Sequence, residues 1–221
     1  MTLPADHPRL WKRDYSHGEL IADGAVHAIA ILAGLIAFAA LFARLAQIGD
    51  WSSGVAAAIY AASFFLMFGF SCAYNMTPPS HLKWLLRRLD HSAIYIMIAG
   101  TYTAALAQVK DAAWGWTLIA VVWAGALAGA ILKLALPGRY DRLAVLAYLL
   151  LGWVGVLALG PLLDALPRPT LTLLLVGGLV YSLGVIFYKW HALKFQNAIW
   201  HACVALAAFL QFAGIAYAMW S

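Results

Sequence analysis

LIADGAVHAIAILAGLIAFAALFAR, residues 20–44, decides what kind of protein this is. An apolar run of this length covers the roughly 30 Å of hydrocarbon that a helix of about 20 residues must cross. Only Asp23 and His27 interrupt it before the closing Arg44. Four residues apart, they share one helical face. A cleaved leader is not expected here, because the run is too long, carries these two polar groups and has no small-residue cleavage site close behind it. An ionisable residue inside a span is costly and marks a site by default.

The rest of the chain repeats the pattern. Of its 221 residues 65% are hydrophobic and only 10% charged, with a mean hydropathy of +0.84, which excludes a water-soluble domain. Six further apolar spans follow, at approximately 52–75, 91–109, 114–135, 142–161, 170–189 and 196–219, separated by short connections. The fold class is therefore all-α, a seven-transmembrane-helix bundle. A segment over 1–19 is expected to precede one transmembrane domain over 20–221. Eleven of the 14 Lys and Arg fall on one side: Arg9, Lys12 and Arg13; Lys83, Arg87 and Arg88; Lys133, Arg139 and Arg142; Lys189 and Lys194. Basic loops stay cytoplasmic, so the N-terminus is expected inside and the C-terminus outside. The net charge of +5 then reflects topology and anionic lipid, not nucleic acid. Membrane lipids are the expected partners.

Two more polar pairs at the same spacing, Ser71 with Asn75 and Asn197 with His201, sit in the second and seventh spans, and Asp90 opens the third. With the N-terminus inside, all seven groups fall in the cytoplasmic half of the bundle. They either hydrogen-bond neighbouring helices as packing devices or form a polar pocket for a metal ion or a proton relay. His27, His201, Asp23 and Asp90 can bind zinc, whereas the neutral amides of Asn75 and Asn197 rarely do. His91 can be a packing residue or a proton carrier. Cys72 and Cys203 point away from Ser71 and His201 and read as buried thiols, with no disulfide expected. Gly125 and Gly129 suit close helix packing or a homodimer. Trp51, Trp84, Trp114 and Trp220 read as interfacial anchors. His7, His17 and His191 read as solvated or interfacial, and Pro78-Pro79 and Pro137-Gly138 as turns.

Leu89-Asp90-His91-Ser92-Ala93-Ile94-Tyr95, followed by Ile98-Ala99-Gly100-Thr101-Tyr102-Thr103, closely resembles the third-helix signature of bacterial hemolysin III proteins. Ala198-Ile199-Trp200-His201 resembles the start of that family's seventh helix, and Ile21-Ala22-Asp23 with His27 its first-helix motif, where Asn usually stands at Asp23. The family stands with the adiponectin and progestin receptors in the PAQR superfamily. The resemblance implies seven helices, an inside N-terminus and a bacterial inner (plasma) membrane. It also implies a zinc site built on Ser-x3-His, an Asp and His-x3-His. Ser71, Asp90 and His201 match that set, while Asn75 and Asn197 replace two ligand histidines. The expectation is a degenerate zinc site with a role in membrane lipid or energy homeostasis or sensing. The alternative is a zinc-dependent hydrolase of lipid amides with a site rebuilt from Asp23, His27, Asp90 and His201. In it Asp90 would orient water and Ser71 steady the charged intermediate.

Overall fold

A computed structural model describes residues 15–109, 112–136 and 141–220. Local signals set most helix ends. Ser16 and Glu19 form a reciprocal capping box at the start of α1 (His17–Ile48), and Gly49 closes that helix at φ 70°, a left-handed conformation that suits glycine. Asp50 caps α2 (Trp51–Met76) through Ser53, whose side chain and backbone N–H hold the Asp50 carboxyl below the usual carboxylate range. Pro78-Pro79 lies in the turn before α3 (His81–Leu106), which Ser80 caps. There follow α4 (Ala112–Ala135), α5 (Asp141–Gly152), a 3-10 segment (Val154–Ala158), α6 (Leu159–Ala165), α7 (Arg168–Lys189) and α8 (Gln196–Trp220).

Among the described residues, five helices are long and apolar enough to cross a membrane: α1, α2, α4, α7 and α8. Their outer faces carry exposed Ile, Leu and Val, and the inner faces of α1, α2 and α8 pack an aromatic core in which Phe38 meets Tyr60, Phe64 and Phe212 with ring centroids 5.2, 5.5 and 4.9 Å apart. The chain is an integral membrane protein. Around the bundle, α7 packs on α8, α8 on α1, α1 on α2, α2 on α3 and α3 on α4, with α5 against α3 and α4.

The third and fifth expected spans differ from the sequence reading. The third helix starts at His81 rather than near 91, because Lys83, Arg87 and Arg88 form a polar opening turn. Its apolar stretch is diluted by Ser92, Thr101 and Thr103, and this is tolerated because they bond inside the bundle. Ser92 Oγ donates to the Ala130 carbonyl at 3.1 Å, Thr101 Oγ1 to the Met97 carbonyl at 2.8 Å, and Thr103 Oγ1 accepts from Trp123 Nε1 at 2.9 Å. The fifth span is not one helix. It breaks at Trp153 into α5, the 3-10 segment and α6, and the Tyr102 hydroxyl staples the break by donating to the Gly152 carbonyl and accepting from the Gly155 N–H, both at 2.8 Å.

Trp51, Trp114 and Trp220 are exposed, as interfacial anchors would be. Trp84 is not: it is buried, with the Arg87 and Arg88 guanidinium groups 5.8 and 5.5 Å from its ring. Gly125 and Gly129 serve packing within the chain. A Cβ at Gly125 would meet the Leu151 side chain at 2.9 Å, and one at Gly129 would run into the Tyr95 ring. Gly129→Ala is therefore expected to cost about 2 kcal/mol through overpacking, measured by unfolding in mixed micelles; an unchanged midpoint would show that the Tyr95 ring yields freely. Cys72 and Cys203 are free and half-buried. His17 is exposed, whereas His7 and Pro137-Gly138 lie outside the described residues.

Candidate functional site

α1 packs between α2 and α8, so the polar pairs on these three helices meet. Asp23, His27, Ser71, Asn75 and His201 are all buried, and Asn197 is partly so. The contact at the centre joins His201 Nδ1 to Asp23 Oδ1 at 2.5 Å, across 178 positions of sequence. The other carboxylate oxygen, Oδ2, accepts from Asn197 Nδ2 at 2.9 Å. That amide nitrogen also lies 3.2 Å from Asn75 Oδ1, and Asn75 Nδ2 donates to the Ser71 carbonyl at 2.8 Å. The three pairs form one network.

Its proton positions follow from the partners. His27 Nδ1 lies 2.8 Å from the Asp23 backbone carbonyl, which can only accept, so Nδ1 carries the hydrogen and Nε2 of the neutral ring a lone pair. His201 Nδ1 likewise donates to the carboxylate, leaving its Nε2 with a lone pair. Both Nε2 atoms face Ser71 Oγ, at 3.1 and 3.4 Å, and the two rings lie 4.4 Å apart. One hydroxyl proton serves one of them. Asn75 Nδ2, 3.4 Å from Ser71 Oγ, supplies the oxygen with a donor. The second imidazole lone pair is left for a metal, a proton or a ligand donor. Two imidazoles oriented through their far nitrogens are also how histidine is held for metal binding.

Among the described residues, one group could hold a metal ion: Asp23, His27 and His201, whose candidate ligand atoms all lie within 4.8 Å of one another. The chemistry of this donor set differs from the three-histidine set that the resemblance implies, since Asn75 and Asn197 stand at two ligand positions. In the arrangement seen, Asp23 Oδ1 is a hydrogen-bond partner of His201 and not a fellow ligand. Tetrahedral zinc ligands, at bond lengths near 2 Å, stand about 3.3 Å apart. Asp90 lies outside this group. It sits on the wall of an adjoining cavity, near enough to interact with Ser71 and His201, and 3.3 Å from His91 Nδ1, which also lies 2.8 Å from the Arg87 carbonyl.

The cavity has a volume of about 490 Å³. His27, Ser71, Asn75, Asp90, Asn197 and His201 line one end, and α3, α5 and α7 form its side walls. Exposed His191 and half-buried Arg87 also line it. Sequence reading missed Tyr181 and Gln211 on this wall. The available signal was a lone Gln in an otherwise apolar span.

Long apolar helices that enclose a carboxylate, two imidazoles and two amides define an integral membrane protein with an intramembrane polar site. The chain belongs to the hemolysin III family: a family model described as "Haemolysin-III related" matches residues 17–212. It is similar to "Hemolysin-3" of Bacillus cereus, 37% identical over 186 residues, covering 84% of this chain and 85% of that protein. It is similar to the "Hemolysin-3 homolog" of Bacillus subtilis (strain 168), 36% identical over 84% of this chain and 87% of the relative. The human "Monocyte to macrophage differentiation factor" is 28% identical over 202 residues, covering 88% of this chain and 80% of that protein.

Proposed function

We propose that this is a seven-span protein of a bacterial inner membrane, with its N-terminus cytoplasmic. Its polar cavity, in the cytoplasmic half of the bundle, takes the polar head of a membrane lipid in lipid homeostasis or sensing. In this reading the zinc centre that the family resemblance implies is degenerate here. The observation that carries it is the tie between the two asparagines and Asp23. Asn197 donates to Asp23 Oδ2 and lies against Asn75, so the residues at the replaced histidine positions are engaged in hydrogen bonds of their own. A cavity of about 490 Å³ is of ligand size. Met67, Phe68, Ile94, Ile98, Val185 and Val204 give it an apolar wall beyond the polar end, the distribution an amphiphile requires.

Metal analysis of protein purified without added zinc tests this reading. The expected content is far below one zinc per chain, and near-stoichiometric zinc that disappears in His201→Ala would overturn it.

A second reading is favoured by the convergence of His27 Nε2 and His201 Nε2. It is a zinc-dependent hydrolase of lipid amides, its site rebuilt on Asp23, His27 and His201. Zinc would there supply Lewis-acid polarisation and an activated water, and Asp23 would orient His201 or join it as a ligand after a small movement. Asp23→Asn is then expected to lower the metal content severalfold. An unchanged content would remove Asp23 from the site.

A further inference from the structure

The cavity has a second polar end away from the three polar pairs. Gln211 lies ten residues beyond His201 on α8, about 15 Å along the helix axis, and it lines the same cavity. Gly177 on α7 makes room for it: a Cβ there would meet Gln211 Cγ at 2.7 Å. Tyr181, one turn further along α7, lines the cavity as well and lies within interaction range of Tyr60.

The neighbouring polar side chains are already engaged. Thr101 Oγ1 donates to the Met97 carbonyl and Ser182 Oγ to the Gly178 carbonyl, each at 2.8 Å, and Trp153 Nε1 donates to Ser182 Oγ at 3.0 Å. Among the described residues, the Tyr181 hydroxyl and the Gln211 amide have no hydrogen-bond partner. Polar groups within a bundle are normally paired, so two that face one cavity call for an explanation. Between them and the Asp23–His201 network lies the apolar belt of Met67, Ile94, Ile98 and Val204. The cavity is thus polar, apolar and polar again along its length.

We infer that the occupant is a long-chain amphiphile with a neutral polar head and a second hydrogen-bonding oxygen partway down its chain, read by Tyr181 and Gln211. This rests on the lipid-binding reading above and names the class of lipid. A neutral head follows because the carboxylates Asp23 and Asp90, at or behind that end of the cavity, disfavour an anion, while Arg87 on the same lining disfavours a cation. A hydroxyl or carbonyl in the chain follows from the partners on offer. Gln211 can donate and accept, and so can the Tyr181 hydroxyl.

The test titrates the full chain in detergent micelles with N-stearoyl ethanolamine and with its 12-hydroxystearoyl analogue, and reads bound lipid by native mass spectrometry. The hydroxylated lipid is expected to bind about tenfold more tightly, equivalent to about 1.4 kcal/mol. Gln211→Leu and Tyr181→Phe, the latter removing only a hydroxyl, are each expected to reduce the preference to about threefold or less. Equal binding of the two lipids by the unaltered chain would overturn the inference and show that water serves these groups. A preference that survives in both variants would overturn it too. Binding of neither lipid would remove the lipid-binding reading, and this one with it.

Discussion

Asp23→Ala is expected to lower the unfolding free energy of the bundle by about 3 kcal/mol. The carboxylate accepts from His201 at 2.5 Å and from Asn197 at 2.9 Å, so the substitution leaves two donors without their acceptor in the bundle interior. Two magnitudes compete. Interhelical hydrogen bonds in membrane proteins average only about 0.6 kcal/mol, because a chain unfolded in lipid also finds partners. Leaving a buried donor without its acceptor costs about 1–3 kcal/mol in water-soluble proteins, and this substitution strands two. The short distance and the near-complete burial of Asp23 favour the larger figure, and the membrane reference state reduces it. Asp23→Asn retains an oxygen that can accept from His201 or from Asn197, and is expected to cost about 1 kcal/mol. Reversible unfolding by sodium dodecyl sulfate in mixed micelles measures both. If Asp23→Ala lost no more than Asp23→Asn, the network would be held by helix packing and not by the carboxylate.

This network shows how far sequence reasoning reaches. The spacing of Asp23 and His27, Ser71 and Asn75, and Asn197 and His201 placed each pair on one helical face, and a common depth followed from the basic loops. Which member of a pair bonds to which was not legible. Asp23 and His27 share a face, yet His27 uses the Asp23 backbone carbonyl, and the carboxylate turns to a histidine 178 positions away. Such choices depend on how α1 sits between α2 and α8, and periodicity carries no information about that. Hydropathy found α1, α2, α4, α7 and α8 because their outer faces meet lipid. It placed the start of α3 too late because a charged turn can be helical without being apolar. Trp84 was misjudged for a related reason: a Trp beside basic residues looks interfacial in sequence, but here Arg87 and Arg88 fold over its ring. Gln211 and Tyr181 escaped notice because neither has a polar companion at i,i+4.

The break in the fifth span was the least legible feature, and Tyr102→Phe tests what makes it. Residues 149–159, LLLGWVGVLAL, read as uninterrupted helix, with no proline and two glycines that a membrane helix tolerates. One hydroxyl on α3 supplies a donor to the Gly152 carbonyl and an acceptor to the Gly155 N–H, the two backbone groups on either side of the break. Tyr102→Phe removes both at no change of ring. An orphaned buried backbone group costs about 1–3 kcal/mol. Gly152 and Trp153 line the cavity, where water can take up part of the loss, so the expected total is about 2 kcal/mol. The variant has a second way out. Val154–Ala158 can wind into regular helix, which pairs its backbone internally but turns the Trp153 indole away from Ser182 and Gly178. Hydrogen exchange separates the outcomes. Orphaned groups would speed exchange of the amides over 152–158 by at least tenfold, whereas rewinding would slow it and free the Trp153 indole N–H. Because the 3-10 segment is short and Tyr102 ties its Gly155 N–H to α3, faster exchange is expected. Unchanged exchange would mean that Trp153, wedged against Gly178 and bonded to Ser182, sets the break without help from Tyr102.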